Sequence, residues 1–204
     1  PPPAGERRWR DDLHLAHTIA DQVDPLTRGH FEAQDVEVET KPDLTPVTAA
    51  DREAERLIRD YLSRARTRDS VFGEEFGVTG HSPRQWIIDP IDGTKNFVRG
   101  VPVWATLISL VEDGRVVVGL ASAPALGKRW WAVAGGGAWS GRSLALAHQL
   151  HVSGVTALED ASLSYSSLSG WVDRRRLRGM LSLMQGCWRT RAYGDFWSYM
   201  LLAS

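Results

Sequence analysis

Two aspartates follow a short apolar run in the segment 86–97, Trp-Ile-Ile-Asp-Pro-Ile-Asp-Gly-Thr-Lys-Asn-Phe. The apolar run predicts a buried strand, and Pro90 restricts the preceding Asp89 to an extended backbone. Gly93 permits a tight turn, so we expect Asp89 and Asp92 to converge on one point beyond the end of the strand. Carboxylates in such an arrangement are suited to bind hard cations such as Mg²⁺.

The same segment has a simpler interpretation, in which an aspartate-rich turn caps the helix that begins after Gly93. A calcium-binding EF-hand loop is excluded, because its ligand spacing and terminal glutamate are absent. Cations held next to the free amides of a helix start would favour phosphoryl transfer from a monoester. Taken alone, the segment leaves the structural turn and the metal site both open.

Two further acidic positions bear on that choice. Glu74 and Glu75 follow another short apolar run, although acids at such a place are commonly solvated surface groups. The run Thr48-Ala-Ala-Asp51 predicts a capping box, in which hydroxyl and carboxylate bond to each other's backbone amides. An aspartate fixed in a first helical turn is well placed to orient a neighbouring hydroxyl.

The elements that must position these residues follow from apolar spacing and from the prolines. The first helix is expected to be kinked or interrupted by Pro25. The order of elements predicts layered sheets and helices rather than a repeat array. The predicted elements are helices at about 8–25, 49–66, 172–184 and from 195 onwards, and strands at about 35–39, 71–72, 86–88, 104–111, 116–122, 129–133, 163–166 and 188–192.

Composition narrows the class of protein. The 204 residues carry 24 Lys and Arg against 25 Asp and Glu, and this balance gives no electrostatic reason to expect nucleic acid or an anionic membrane as a partner. Cys187 is the one cysteine, so we expect no intrachain disulfide and a cytoplasmic location. No apolar run reaches the roughly 18 residues that a bilayer span needs.

Three blocks together carry a resemblance to a known family. They are Lys-Pro-Asp-Leu-Thr-Pro-Val-Thr-Ala-Ala-Asp at 41–51, Gly-Glu-Glu at 73–75 and the segment 86–97. In this order and spacing they resemble the inositol monophosphatase superfamily of metal-dependent phosphatases. The resemblance extends from about Leu13 to the end of the chain. It implies an α/β layered fold, the αβαβα sandwich of the inositol monophosphatase and sugar phosphatase type.

The resemblance also implies a set of metal ligands. Glu74, Asp89 and Asp92 would bind through their side chains and Ile91 through its backbone carbonyl. Glu75 would lie beside the ions without binding them directly. The site would hold about two or three Mg²⁺ ions, with Mn²⁺ as an alternative metal.

The catalytic roles that the resemblance implies belong to neighbouring residues. Thr94, paired with Asp51, would position the attacking water and help to deprotonate it. The amides of Gly93 and Thr94 would hold the phosphate group. The implied reaction is direct in-line attack by a metal-activated water, without a covalent phosphoenzyme.

The segment 191–199, Arg-Ala-Tyr-Gly-Asp-Phe-Trp-Ser-Tyr, concerns the substrate. Asp195, Phe196 and Trp197 stand where inositol phosphatases carry small residues, and a carboxylate beside aromatic rings suits an ammonium group and an imidazole. The segment is similar to the histidinol-phosphatase branch of the family, which implies L-histidinol phosphate, a small phosphorylated amino alcohol, bound in part by Arg191 and Asp195. The alternatives are core packing of Phe196 and Trp197 and a helix N-cap at Asp195.

Other functions within and outside the family stay open. The enzymatic alternatives are an inositol-1-phosphatase or a nucleotide 3′-phosphatase, and the non-enzymatic one is an inactive phosphate-binding module. The superfamily completes a metal site with a Trp-Asp-x-Ala segment that is absent here, so the C-terminal portion is expected to be incomplete and the activity impaired. We expect an N-terminal α+β domain at 1–140 that carries the metal motifs, the start of a C-terminal α/β domain at 141–204, and a homodimer.

Overall fold

The computed structural model describes residues 8–33, 38–40 and 46–204. The first part of the strand predicted at 35–39 lies outside these residues, and so does most of the 41–51 block before Pro46. The chain divides into two compact units, Pro1–Leu150 and His151–Ser204.

The first unit continues beyond the domain boundary that we predicted after residue 140. That position falls inside a strand, and the sheet continues through one more strand to Leu150. The elements of the first unit are α1 (Arg10–Ala33), β1 (Val38–Thr40), β2 (Pro46–Thr48), α2 (Ala49–Ala65), β3 (Ser70–Gly73), β4 (Gly77–Thr79), β5 (Arg84–Asp92), α3 (Thr94–Val98), β6 (Ala105–Glu112), β7 (Arg115–Ala123), β8 (Lys128–Val133), β9 (Gly137–Ser143) and β10 (Leu146–Leu150).

An eight-stranded sheet organises the first unit, with the strand order β10-β9-β8-β7-β6-β5-β3-β4. Strands β3 and β5 run parallel, with Gly73 opposite Ile88, and the other neighbouring pairs are antiparallel. Because parallel strands end at the same edge of a sheet, the residues after β3 and those at the end of β5 come together there.

Helices α1 and α2 pack against this sheet and form the main core with it. In α2 the residues Ala54, Ile58 and Leu62 recur every fourth position, which gives the helix one apolar face. Burying each large aliphatic side chain contributes about 1.5–3 kcal/mol. The sheet side of the core includes Trp86, Ile88, Ile108, Leu110, Val118, Leu120 and Trp131. The predicted layered α/β architecture is therefore confirmed.

The first helix is longer than we predicted. It continues through Pro25 to Ala33, although proline lacks the N–H that an internal helical position normally donates. The hydroxyl of Thr27, which is fully buried, donates to the carbonyl of Val23 at 3.0 Å. Beyond the proline, the ring of Phe31 lies 5.5 Å from that of Phe97. Tertiary packing of this last stretch outweighs the local effect of the proline.

The second unit contains a short parallel sheet and three helices. The prediction of one basic helix at 172–184 is wrong, because two helices separated by a turn occupy this region. Arg175 adopts a φ of 55° in that turn, and the amide of Arg176 donates to the carbonyl of Trp171. The elements are β11 (Ser162–Ser164), α4 (Ser169–Asp173), α5 (Leu177–Gly186), β12 (Arg189–Arg191) and α6 (Asp195–Ala203).

The helices in the part of the chain that the structure describes were compared with the length and hydropathy of membrane-spanning helices. None of the helices there is both long enough and apolar enough to span a bilayer.

Candidate active site

Asp89 and Asp92 lie at the end of β5, where the strand contains a bulge. Asp89 is opposite Leu107 of β6 and Asp92 is opposite Ala105, so a step of three residues in β5 matches a step of two in β6. In a regular strand, residues three apart point to opposite faces of the sheet. The additional residue in the bulge therefore turns both carboxylates to the same side. Pro90 occupies the bulge, a place where a residue without an N–H is tolerated.

The turn after β5 has the geometry that the sequence predicts. Gly93 adopts the left-handed conformation, with φ 89° and ψ 34°, and α3 begins directly after it. The hydroxyl of Thr94 donates to the carbonyl of Ile91 at 2.9 Å. The amide of Ile91 donates in turn to Oδ1 of Asp89 at 3.2 Å. These bonds fix the conformation of the turn that contains the predicted ligands Asp89, Ile91 and Asp92.

Glu74 meets Asp89 across the parallel pair β3–β5. It follows Gly73, and Gly73 is opposite Ile88, the residue before Asp89. The two side chains lie close enough for the charge of Glu74 to raise the pKa of Asp89, after the larger effect of burial. The predicted convergence of these two acids from separate segments is therefore present in the structure.

Asp51 is held in the first turn of α2 by the predicted capping box. Its Oδ2 accepts hydrogen bonds from the amide of Thr48 at 2.8 Å and from the hydroxyl of Thr48 at 2.6 Å. The side chain is buried, and its Oδ1 has no hydrogen-bond partner among the described residues. A buried acceptor left in this state is destabilising unless a donor or a cation reaches it.

The pKa values show that these acids form one group. Burial, together with the charges of Glu74 and Asp92, raises the pKa of Asp89 to about 9. The pKa of Asp51 is raised to about 6, because burial and the charges of Glu75 and Glu74 outweigh the hydrogen bonds from Thr48 that lower it. We name Asp51, Glu74, Glu75, Asp89 and Asp92 the acid cluster.

The acid cluster has the donor chemistry of a Mg²⁺ site. Within residues 8–33, 38–40 and 46–204, no three Asp, Glu, His or Cys side chains are arranged to hold a metal ion by themselves. Mg²⁺ needs less than that, since it commonly binds through one or two carboxylates and keeps several waters. Glu74, Asp89 and the carbonyl of Ile91 provide two carboxylates and a backbone oxygen. A cation would also neutralise the repulsion that raises the pKa of Asp89, so the residues fit the metal.

The predicted substrate residues lie in the second unit. Arg191 ends β12 and is exposed, and Asp195 is the exposed first residue of α6. The alternative N-cap role of Asp195 is wrong, because Gly194 occupies the N-cap position. Asp195 has a φ of 47°, a strained conformation for a residue other than glycine. Phe196 is buried, as the core-packing alternative expected.

Sequence reasoning missed one residue beside the acid cluster, Glu55. It lies one helical turn after Asp51, and its buried carboxylate bonds to the backbone that follows Glu74. The spacing of four residues between two acids of α2 was the signal available in the sequence. Because an acid on a helix is usually solvated, the spacing alone did not reveal a buried role.

Comparison with known proteins agrees with this geometry. The model of the inositol monophosphatase family matches residues 9–203. A histidinol-phosphatase of Streptomyces coelicolor is 65% identical over 199 residues, which cover 96% of this chain and 75% of that protein. A histidinol-phosphatase of Mycobacterium tuberculosis is 57% identical over 194 residues, covering 95% and 75%.

Solved structures of the same family resemble this fold. The solved structure of an inositol monophosphatase from Zymomonas mobilis superposes with a TM-score of 0.80 at 34% identity, covering 95% of this chain and 73% of that one. The matched residues include both the acid cluster and the second unit. The chain therefore belongs to the inositol monophosphatase family and is a phosphatase.

Proposed function

We propose that this phosphatase hydrolyses L-histidinol phosphate to L-histidinol and phosphate in a Mg²⁺-dependent reaction. The observation that supports the metal dependence is the acid cluster, in which burial and neighbouring carboxylates raise the pKa of Asp89 to about 9. The substrate is supported by the two histidinol-phosphatases that are 65% and 57% identical to this chain. Inositol 1-phosphate and nucleotide 3′-phosphates are the competing substrates.

The carboxylates of Glu74, Asp89 and Asp92 and the carbonyl of Ile91 would hold Mg²⁺. The chemistry supplied by the bound metal is a lowered water pKa and neutralisation of the phosphate oxygens. Mn²⁺ offers the same oxygen-preferring chemistry and is the expected replacement. Hydrolysis of phosphate monoesters is extremely slow without a catalyst, so charge stabilisation must provide most of the acceleration.

The remaining roles are proposed for Thr94, Asp51 and the backbone amides of the turn after β5. The hydroxyl of Thr94 is fixed by the carbonyl of Ile91, and we propose that it orients the attacking water. The buried Oδ1 of Asp51 is the proposed acceptor for the proton of that water. A pKa of about 6 before a cation binds suits a general base near neutral pH. The amides of Gly93 and Thr94, at the start of a helix, are proposed to bind the phosphate.

The substrate is proposed to be bound in part by Arg191 and Asp195. The exposed carboxylate of Asp195 can form a charge-assisted hydrogen bond with an ammonium group. Inositol has no ammonium group, so this interaction would separate the two substrates. Arg191 would contribute to binding of the negatively charged ester.

The test is a comparison of phosphate release from L-histidinol phosphate and from inositol 1-phosphate, each with saturating Mg²⁺ and with EDTA. We expect kcat/KM for L-histidinol phosphate to be at least about a hundredfold higher, since a missed charge-assisted hydrogen bond is worth about 1.5–3 kcal/mol and several contacts differ. Asp195→Asn should reduce this preference about tenfold. Equal rates on both substrates would reject histidinol phosphate, and release that EDTA does not affect would reject the metal.

A further inference from the structure

Glu55 is a buried carboxylate whose oxygens point at the turn that carries Glu74. It lies in α2, four residues after Asp51, and its side chain is fully buried. A buried charge is strongly destabilising unless it is paired and hydrogen-bonded. Its partners are therefore informative about what it does.

Those partners are the backbone directly after Glu74. Oε2 of Glu55 accepts a hydrogen bond from the amide of Glu75 at 2.7 Å, and Oε1 accepts one from the amide of Phe76 at 3.1 Å. Bonds from backbone amides to a carboxylate are about twice as strong as neutral ones. Glu55 thus fixes the path of the chain immediately after the predicted metal ligand.

Arg59 extends the same contact to the far side of the turn. Its Nε donates to Oε1 of Glu55 at 2.8 Å, and its guanidinium also donates to the carbonyl of Gly77 and to the hydroxyl of Thr79. The Glu55–Arg59 pair therefore holds the turn after β3 and strand β4 against α2.

Gly73 provides the space for this arrangement on the other side of Glu74. A Cβ atom added at Gly73 would lie 2.0 Å from Oε1 of Glu55, far inside van der Waals contact. Only glycine lets the carboxylate lie this close to the backbone. Glu74 is consequently framed by two residues, Gly73 and Glu75, that both contact Glu55.

We propose that Glu55 is a positioning residue, which sets Glu74 for metal binding through the amides of Glu75 and Phe76. This inference rests on the proposed Mg²⁺ site. Residues that orient metal ligands typically change metal affinity about 10–100-fold when they are altered. If Glu55 had only a structural role, altering it would lower the stability of the protein without changing the affinity of the folded protein for Mg²⁺.

The experiment measures Mg²⁺ binding by calorimetry and the Mg²⁺ dependence of phosphate release for Glu55→Gln, with circular dichroism as the check of folding. The Mg²⁺ midpoint is the Mg²⁺ concentration that gives half-maximal binding or half-maximal phosphate release. We expect it to rise at least about tenfold in both measurements, while kcat at saturating Mg²⁺ stays within about threefold of wild type. Glu55→Gln that is folded and has the wild-type midpoint would overturn the proposal.

Asp24→Asn is the matched control. Asp24 also pairs a carboxylate with an arginine, Arg129, and accepts from Ser122, and both of these partners lie outside the acid cluster. We expect this variant to have a lower Tm and an unchanged Mg²⁺ midpoint. A midpoint that rises as much as in Glu55→Gln would mean that lost stability alone explains the effect, and would overturn the proposal.

Gly73→Ala provides a second route that keeps every charge. Its Cβ should displace the Glu55 carboxylate from the turn, so the Mg²⁺ midpoint should rise in the same direction. If both variants fail to fold at every Mg²⁺ concentration, Glu55 belongs to the fold rather than to the site and the proposal is wrong. If the wild-type protein binds Mg²⁺ but releases no phosphate, the proposed function is rejected. The calorimetric Mg²⁺ affinities of wild type and Glu55→Gln would then decide on the role of Glu55.

Discussion

The two ends of β5 hold carboxylates in opposite electrostatic settings. At its start, Arg84 bonds to Glu112 at 2.9 Å, to Asp12 at 3.1 Å and to Asp69 at 3.2 Å. Arg66 adds a second bond to Asp12 at 2.7 Å. We name these five residues the arginine cluster. At its end, the same strand leads into the acid cluster.

The pKa values express the difference. The hydrogen bond from Arg84 lowers the pKa of Glu112, whereas burial and neighbouring carboxylates raise the pKa of Asp89. Burial would lower the pKa of Arg84, but its bonds to Asp69, Glu112 and Asp12 raise it instead. The arginine cluster contains its own counter-charges and stabilises the fold. The acid cluster lacks such counter-charges among the hydrogen bonds and charges that shift the pKa values of Asp51 and Asp89, and this fits the proposed cation site.

The largest expected effect is loss of turnover in Asp92→Asn. Replacing this carboxylate should lower kcat/KM for L-histidinol phosphate at least about a thousandfold, because bound metal contributes several kcal/mol of charge stabilisation. The Tm in EDTA at pH 8 should be unchanged or higher, since one repelling charge is removed. Wild-type turnover at saturating Mg²⁺ would show that Asp92 is not a ligand.

The arginine cluster should respond in the opposite way. Arg84→Met keeps much of the side-chain volume but leaves Asp12, Asp69 and Glu112 with fewer partners, so the free energy of unfolding in urea should fall by about 3 kcal/mol. The Mg²⁺ midpoint of the folded variant should stay at the wild-type value. Arg66→Met, which removes only the second bond to Asp12, is the control and should lose less. A shifted Mg²⁺ midpoint in Arg84→Met would contradict the distinction between a stabilising arginine cluster at the start of β5 and a metal-binding acid cluster at its end.

The smallest expected effect, counted per pH unit, is on the stability of the protein without metal. The folded-state pKa values of Asp89, about 9, and Asp51, about 6, both lie above the unfolded value near 3.9. Stability from these groups is therefore fully present below about pH 4 and is lost as pH rises through 6 and 9. Each proton contributes a slope of at most about 1.4 kcal/mol per pH unit.

Urea unfolding in EDTA between pH 6 and pH 9 measures this slope. Glu112 does not interfere there, because its lowered pKa affects stability only at acidic pH, where that stability is lost as pH falls. Asp89→Asn should flatten the decline, and so should Mg²⁺ added to the wild type. A stability that rises with pH in this range would contradict the electrostatic description of the acid cluster.

Local rules were sufficient for much of the fold and the site. The helix predicted at 49–66 is present at Ala49–Ala65, and the capping box at Thr48 and Asp51 forms as predicted. Gly93 adopts the left-handed turn that its position predicted. These features depend on neighbours within about four residues, so the sequence contains all the information that they need.

The failures come from contacts with distant parts of the chain. Local proline chemistry predicted that Pro25 kinks or interrupts a helix that in fact continues to Ala33, where Phe31 packs on Phe97. The helical pattern at 172–184 did not show the break at Arg175. Glu55 looked like an ordinary helix surface acid until the β3–β4 hairpin covered it.

By itself, the sequence determined the turn at Gly93 and the capping box at Thr48 and Asp51, because glycine and capping residues act on their own neighbourhood. Only the tertiary structure decided that Asp51, Glu74 and Asp89 share one electrostatic environment, since they belong to three elements that meet through the parallel pairing of β3 with β5 and the packing of α2. It also decided that arginines pair with the carboxylates at one end of β5 while acids gather at the other, because charge balance depends on which distant side chains are brought together.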